Sequence, residues 1–252
     1  MTYCVGLKLN AGLLFMSDTR TNAGVDSISV FKKMNTWSIP GKRVITLLSA
    51  GNLATTQAAV SIIDERTKAV ADRAPSILEA PSMFQIARMV GKTLREVIQS
   101  HAEAPGQKAE TAFNSTFILG GRIGNSPSRL FMIYPEGNFI EATADTPFFQ
   151  IGETKYGKPI IVRAYRPEMS VEEAIKLLLV SFDSTIKSNL SVGLPIDVQF
   201  CAEDDRTVTH EFRIDERDAY YRAISSGWSN ALRNAFDALE PFSLDQHVKS
   251  PL

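Results

Sequence analysis

Four residue types near the start of the chain could do chemistry together. Thr2 directly follows Met1, and Met1 precedes so small a residue that its enzymatic removal is expected. Thr2 would then carry a hydroxyl and a free α-amine on one residue, bringing nucleophile and base together, which is one way to activate a weak alcohol. An α-amine of ordinary pKa, about 7.7–8.0, is suited to moving protons at neutral pH. Further on lie Asp18 and Arg20 at the end of one apolar run, and Lys32-Lys33 inside another. On an alternating strand one of these lysines faces solvent and the other points inward. The inward one needs a carboxylate, because an unpaired buried charge is costly. Asp18 is a candidate partner, and a Lys33 ammonium close to Thr2 would lower the pKa of its hydroxyl. Gly51, in Ser49-Ala50-Gly51-Asn52-Leu53, sits between a strand and a helix. A backbone N–H there is an oriented donor for a developing oxyanion, and glycine allows close approach. Spacing alone also admits plainer readings: a structural Asp18–Lys33 pair, a frayed Thr2, and a Gly51 that only permits a turn.

The elements that must position these residues are legible from periodicity. Tyr3–Leu9 and Leu13–Ser17 read as strands around an Asn10-Ala11-Gly12 turn, and Val30–Ile39 and Arg43–Ala50 as a pair around Pro40-Gly41. Helical spacing predicts helices from Gly51 to about Ala69, and from an N-cap at Ser82 through Ile98. A polar linker at Glu103–Glu110 precedes strands at Asn114–Arg122, Arg129–Tyr134 and Phe139–Thr143, the last two joined by a Pro135–Asn138 turn. Ser170 with Glu172 and Glu173 starts a helix as an incomplete capping box, with Ala174 read at its last position. Strands follow at Pro195–Cys201 and Arg206–Ile214, then a helix from Asp215 to Leu239. Strands and helices in these runs predict an α+β fold in layers, two sheets between helices, as a single domain over 1–252. Residues 242–252 read as a flexible or partner-bound tail.

Composition narrows the function classes. The chain has 252 residues, 44% hydrophobic and 22% charged, with a net charge of -1, so no basic field argues for nucleic acid or an anionic membrane. The start lacks the pattern of a secretory signal and no apolar run reaches membrane-spanning length, so a cytoplasmic protein is expected. Cys4 and Cys201 lie far apart in strand-like runs and read as free buried thiols, which suits a reducing compartment. His101, His210 and His247 are scattered, so no metal site and no cofactor is expected. Trp228, Leu232 and Phe236 at helical spacing read as core or subunit contact. No phosphate-binding P-loop is present, so any ATP-driven unfolding would need a separate ATPase or adaptor.

Thr2, Val5-Gly6, Ser17-Asp18-Thr19-Arg20, Phe31-Lys32-Lys33 and Ser49-Ala50-Gly51-Asn52-Leu53-Ala54 occur in the order and near-spacing of proteasome-type β subunits. The chain resembles that family of N-terminal nucleophile hydrolases, and within it the bacterial Anbu (ancestral β-subunit-like) branch. The resemblance implies a four-layer αββα sandwich and a threonine-type endopeptidase that cleaves peptide or protein substrates. It casts Thr2 as nucleophile, Asp18 and Lys33 as its activating pair, Gly51 as oxyanion donor and Arg20 as support for Asp18. It places Thr21, Phe31, Ser49 and Leu53 along the substrate pocket, which the small Ser49 should leave roomy. It also implies a homo-oligomer, a ring or spiral. Two segments depart from the family pattern. In Ser188–Gly193, Asn189 stands where an aspartate is common and Val192 where a serine is, with Ser191 one residue off; Asn189 and Ser191 are the candidates for holding the amine. Ile151-Gly152-Glu153-Thr154 matches a turn that often carries a serine and has none. These departures favour an alternative, a catalytically weak or inactive proteasome-like assembly protein.

Overall fold

A computed structural model of the chain describes residues 2–22, 28–68, 75–103 and 110–244. Met1, His247, most of the 103–110 linker and the tail from residue 245 onward lie outside the described residues. Alternation in β1 (Tyr3–Leu9) and β2 (Gly12–Asp18) sends Val5, Leu7, Leu14 and Met16 to one face, and Cys4, Leu13 and Phe15 to the other. Both faces are apolar, so the sheet must be covered on both sides. A second sheet covers one face and helices cover the other.

The first sheet has β1 and β2 at its centre, with β10 (Phe148–Gly152) beside β1, and β11 (Ile196–Ala202) then β12 (His210–Ile214) beside β2. The second runs β5 (Met34–Ile39), β6 (Arg43–Gly51), β7 (Ser115–Ile123), β8 (Arg129–Ile133), β9 (Phe139–Glu141). The inner faces meet through Leu13, Phe15, Val44, Leu48, Ile118 and Leu130. A buried polar link crosses this layer: Gln199 Nε2 donates to Thr46 Oγ1 at 3.1 Å and Gln199 Oε1 accepts from Thr36 Oγ1 at 2.9 Å. The outer face of the second sheet packs on α1 (Leu53–Lys68) and α2 (Met83–Ala102) through Ile45, Leu47, Ile63, Ile86 and Val90. The outer face of the first packs on α3 (Lys158–Ala164) and α4 (Val171–Ser188) through Val5, Met16, Ile161, Leu178 and Phe182. The result is the expected αββα sandwich. Among the described residues no helix is long and apolar enough to cross a membrane.

Several elements differ from the sequence reading. The Val30–Ile39 strand is interrupted at Phe31–Lys33: β3 (Arg20–Asn22) and β4 (Ile28–Val30) form a separate ribbon, and β5 begins at Met34. The backbone there bonds elsewhere, Phe31 N–H to the Thr19 carbonyl at 2.9 Å and the Lys33 carbonyl to Ser49 N–H at 3.0 Å. The capping box at Ser170 is complete, because the third residue after the cap is Glu173, not Ala174. Ser170 Oγ accepts from Glu173 N–H at 3.1 Å, and the Glu173 carboxylate accepts from Ser170 N–H at 3.0 Å. The last helix, α5 (Ala219–Asp237), starts later than Asp215, because Asp218 caps it by accepting from Tyr221 N–H at 2.7 Å. Sequence periodicity missed β10 and α3, both too short to show a period. It placed the start of β12 too early.

Candidate active site

Asp18 ends β2 facing β1, and is fully buried. Its Oδ1 accepts from Tyr3 N–H at 2.9 Å and from Lys33 Nζ at 2.7 Å, and its Oδ2 accepts from Gly193 N–H at 3.4 Å. Lys33 is 5% exposed and also donates to the Arg20 carbonyl at 2.6 Å. An ammonium has three donors, and described residues take two of them. Burial pushes the Asp18 carboxyl above its ordinary range, while the Lys33 charge and the Tyr3 and Gly193 amides pull it back. Lys32, one residue earlier, points away and meets Glu211 at 3.3 Å on the surface. The expectation of one inward and one outward lysine therefore holds, although the backbone between them is not a strand. Nearby Cys4 is buried, and burial pushes its thiol far up, so it stays protonated.

A cleft of about 380 Å³ opens over this pair. Thr2, Thr21, Lys33, Ser49, Gly51 and Leu53 line it. Phe31, expected among them, is not in the lining; its side chain is half-exposed outside. Beyond Leu53, the sequence reading missed the far wall, which is one face of α1: Gln57 and Ser61 follow Leu53 at every fourth residue, with Thr56 and Val60 between. That spacing was visible, but nothing in it marked which face would meet the cleft. Asn52 fixes where α1 begins, its Oδ1 accepting from Thr55 N–H at 3.1 Å. Just before it, Gly51 has φ of +120°, and a Cβ there would lie 2.4 Å from the Asn114 carbonyl oxygen. Only glycine fits this bend.

Arg20 makes no hydrogen bond or salt bridge to Asp18. Its guanidinium lies against Gly193, where a Cβ would come within 2.4 Å of it, and donates to the Leu190 carbonyl at 3.2 Å. It thus shapes the loop whose Gly193 N–H reaches Asp18. Asn189 caps the end of α4, its N–H donating to the Thr185 carbonyl at 2.9 Å. Its side chain accepts from Ser191 N–H at 3.0 Å and donates to Glu153 Oε2 at 2.9 Å. Glu153, singled out in the sequence only as a missing serine, is buried, and its N–H donates to the Thr2 carbonyl at 2.7 Å. Burial would raise its carboxyl, but the Lys155 amide, Asn189 and the Thr154 amide outweigh that and hold it below its ordinary range.

A family model described as proteasome subunit matches residues 2–200, most of the chain. This chain belongs to the proteasome subunit family. Its sandwich is the N-terminal nucleophile hydrolase fold of that family. Solved structures of Anbu chains are similar over nearly their full length. Anbu from Hyphomicrobium sp. strain MC1 is 51% identical, covering 96% of this chain and 100% of that one, with a TM-score of 0.88. Anbu from Yersinia bercovieri is 45% identical over 96% and 100%, with a TM-score of 0.88. The chain in the helical assembly of the Anbu complex from Pseudomonas aeruginosa is 41% identical over 97% and 99%, with a TM-score of 0.89. These likenesses bear out the Anbu branch of the proteasome family. No match was found among curated proteins.

Proposed function

We propose that this proteasome-family chain is a threonine-type peptidase or amide hydrolase, with Thr2 as nucleophile after loss of Met1. The carrying observation is the buried Lys33–Asp18 pair, at 2.7 Å, whose Lys33 lines one cleft with Thr2. A fixed ammonium there favours the Thr2 alkoxide. Thr2 Oγ attacks the substrate carbonyl and its proton passes, through a water, to the α-amine. The Gly51 N–H stabilises the oxyanion. The C–N bond then breaks, the leaving amine takes the proton, and water hydrolyses the ester on Thr2 Oγ. Thr21, Ser49 and Leu53 contact the substrate side chain. The protein works in the cytoplasm as a homo-oligomeric ring or spiral, in line with the helical assembly of the Pseudomonas aeruginosa relative. Folded substrates would reach it through a separate ATPase or adaptor.

Replacing Thr2 by Ala should abolish covalent labelling by an electrophilic peptide, and unchanged labelling would sink the proposal. A second reading, a weak or inactive assembly protein, draws on Asn189 in place of an acid. Intact mass of the protein purified from its host separates the two. A mass lower by one methionine supports the peptidase, and a retained Met1 leaves only an amide at the Thr2 nitrogen.

A further inference from the structure

Glu153 is a buried anion with no salt bridge among the described residues. It is 6% exposed, and its oxygens accept from uncharged donors, Asn189 Nδ2 and Lys155 N–H, each at 2.9 Å, and the Thr154 amide, while the Lys155 charge acts on it only from a distance and weakly. Acidic side chains are seldom buried in this way, because a desolvated charge needs a counter-charge. The amide donors keep it ionised at neutral pH.

Its place in the fold says where the counter-charge comes from. β10 pairs antiparallel with β1 in a register that ends at Tyr3↔Gly152, which brings Glu153 beside Thr2. The Glu153 N–H to Thr2 carbonyl bond, at 2.7 Å, joins the two backbones just beyond that pair. Gly152 has φ of +82°, and a Cβ on it would lie 2.0 Å from the Thr2 carbonyl oxygen, so the backbones close tightly around the start of β1. The Glu153 backbone thus lies one hydrogen bond from Thr2, within reach of a glutamate side chain. Asn189 fixes the carboxylate from the side, and the Asn189 side chain is itself fixed by Ser191 N–H.

We propose that Glu153 is the counter-charge that holds the freed α-amine of Thr2, and that Asn189 positions Glu153 to do so. The charge that an aspartate would supply at position 189 is supplied here by the residue hydrogen-bonded to it. Glu153 is thus a positioning residue that acts through the Thr2 amine. This inference rests on the N-terminal threonine reading.

The sign of its effect follows. A carboxylate beside an amine favours the ammonium, so Glu153 raises the pH at which the amine becomes a base. The test is competitive acetylation of the N-terminus with acetic anhydride across pH, read on the N-terminal peptide by mass spectrometry, which needs no activity. In Glu153→Gln the midpoint should fall by about one pH unit, as expected for losing an opposite charge at close range. In Glu153→Asp it should stay close to that of the unmodified protein. Labelling by the peptide electrophile should slow by tenfold or more in Glu153→Gln, with the electrophile concentration for half-saturation unchanged. Asn189→Ala, which loosens the carboxylate but keeps it, should slow labelling with a smaller midpoint change. It carries the same test if Glu153→Gln fails to fold. Loss of Met1 together with an unmoved midpoint in folded Glu153→Gln overturns this proposal alone. A retained Met1 overturns the threonine reading and this inference with it.

Discussion

Asp18 and Glu153 are two buried carboxylates at the same end of β1, and the protein treats them oppositely. Asp18 bonds the Tyr3 amide and a lysine; Glu153 bonds the Thr2 carbonyl through its own N–H and has no salt bridge among the described residues. Burial dominates at Asp18 and pushes its carboxyl up, whereas amide donors dominate at Glu153 and hold its carboxyl down. The difference teaches that a buried charge can be fixed either by its permanent partner or by neutral donors. In the second case it keeps its field available for a group that appears later, as proposed for the freed Thr2 amine.

The comparison breaks most readily at Lys33. Lys33→Ala leaves Asp18 buried without its ammonium and should destabilise the fold by about 3–5 kcal/mol. It should also abolish electrophile labelling. Lys33→Met combined with Asp18→Asn, which removes both charges, should recover much of that stability but none of the labelling. Urea unfolding of the two variants checks this, and a double variant as unstable as Lys33→Ala would refute the pairing.

Gly51→Ala comes next. A Cβ there meets the Asn114 carbonyl oxygen at 2.4 Å on a backbone at φ +120°, so the bend before α1 must move. Labelling should fall by about a hundredfold, as for loss of an oxyanion donor. A labelling rate within twofold of the unmodified protein would show that this bend tolerates a side chain and does not set the donor.

pH sharpens the contrast between the carboxylates. Because the Asp18 carboxyl is raised in the fold, labelling should begin to fail on acidification while pH is still above about 3.9, the ordinary aspartate value. The folded Glu153 carboxyl is lowered, so its contribution to stability is present above about 4.3, its unfolded value, and is lost as pH falls through the lower folded value. Acid unfolding of Glu153→Gln should therefore lack that part of the transition. Identical acid-unfolding profiles for Glu153→Gln and the unmodified protein would contradict it.

The smallest effect belongs to Lys32. Its ion pair with Glu211 is half-exposed on both sides, so Lys32→Ala should change stability by less than about 0.5 kcal/mol. A loss comparable to Lys33→Ala would mean that exposure does not separate the two lysines. The contrast between neighbours is a direct control on the argument from burial.

How much of the site was legible depended on how local its signals were. Asp18 at a strand end, two adjacent lysines of opposite direction and a glycine before a helix each announce themselves within a few residues. Glu153 did not, because its neighbourhood is made by a strand pairing between distant parts of the chain. β10 itself has only Phe148–Gly152 to show, too short a run for periodicity. The face of α1 that lines the cleft was readable as a face, but its partner was not. Phe31 was expected on the pocket because a resemblance carries over positions, while the break at Phe31–Lys33 turns that side chain outward.

By itself the sequence determined the layering, because strands apolar on both faces must be covered twice, and it determined which short segments carry the candidate nucleophile, a charge pair and a turn glycine. Tertiary structure alone decided which carboxylate meets which donor. Alternation settles the face on which a side chain emerges, but the register between β1 and β10, and the loop after α4 that brings Asn189 to Glu153, settle what it meets there.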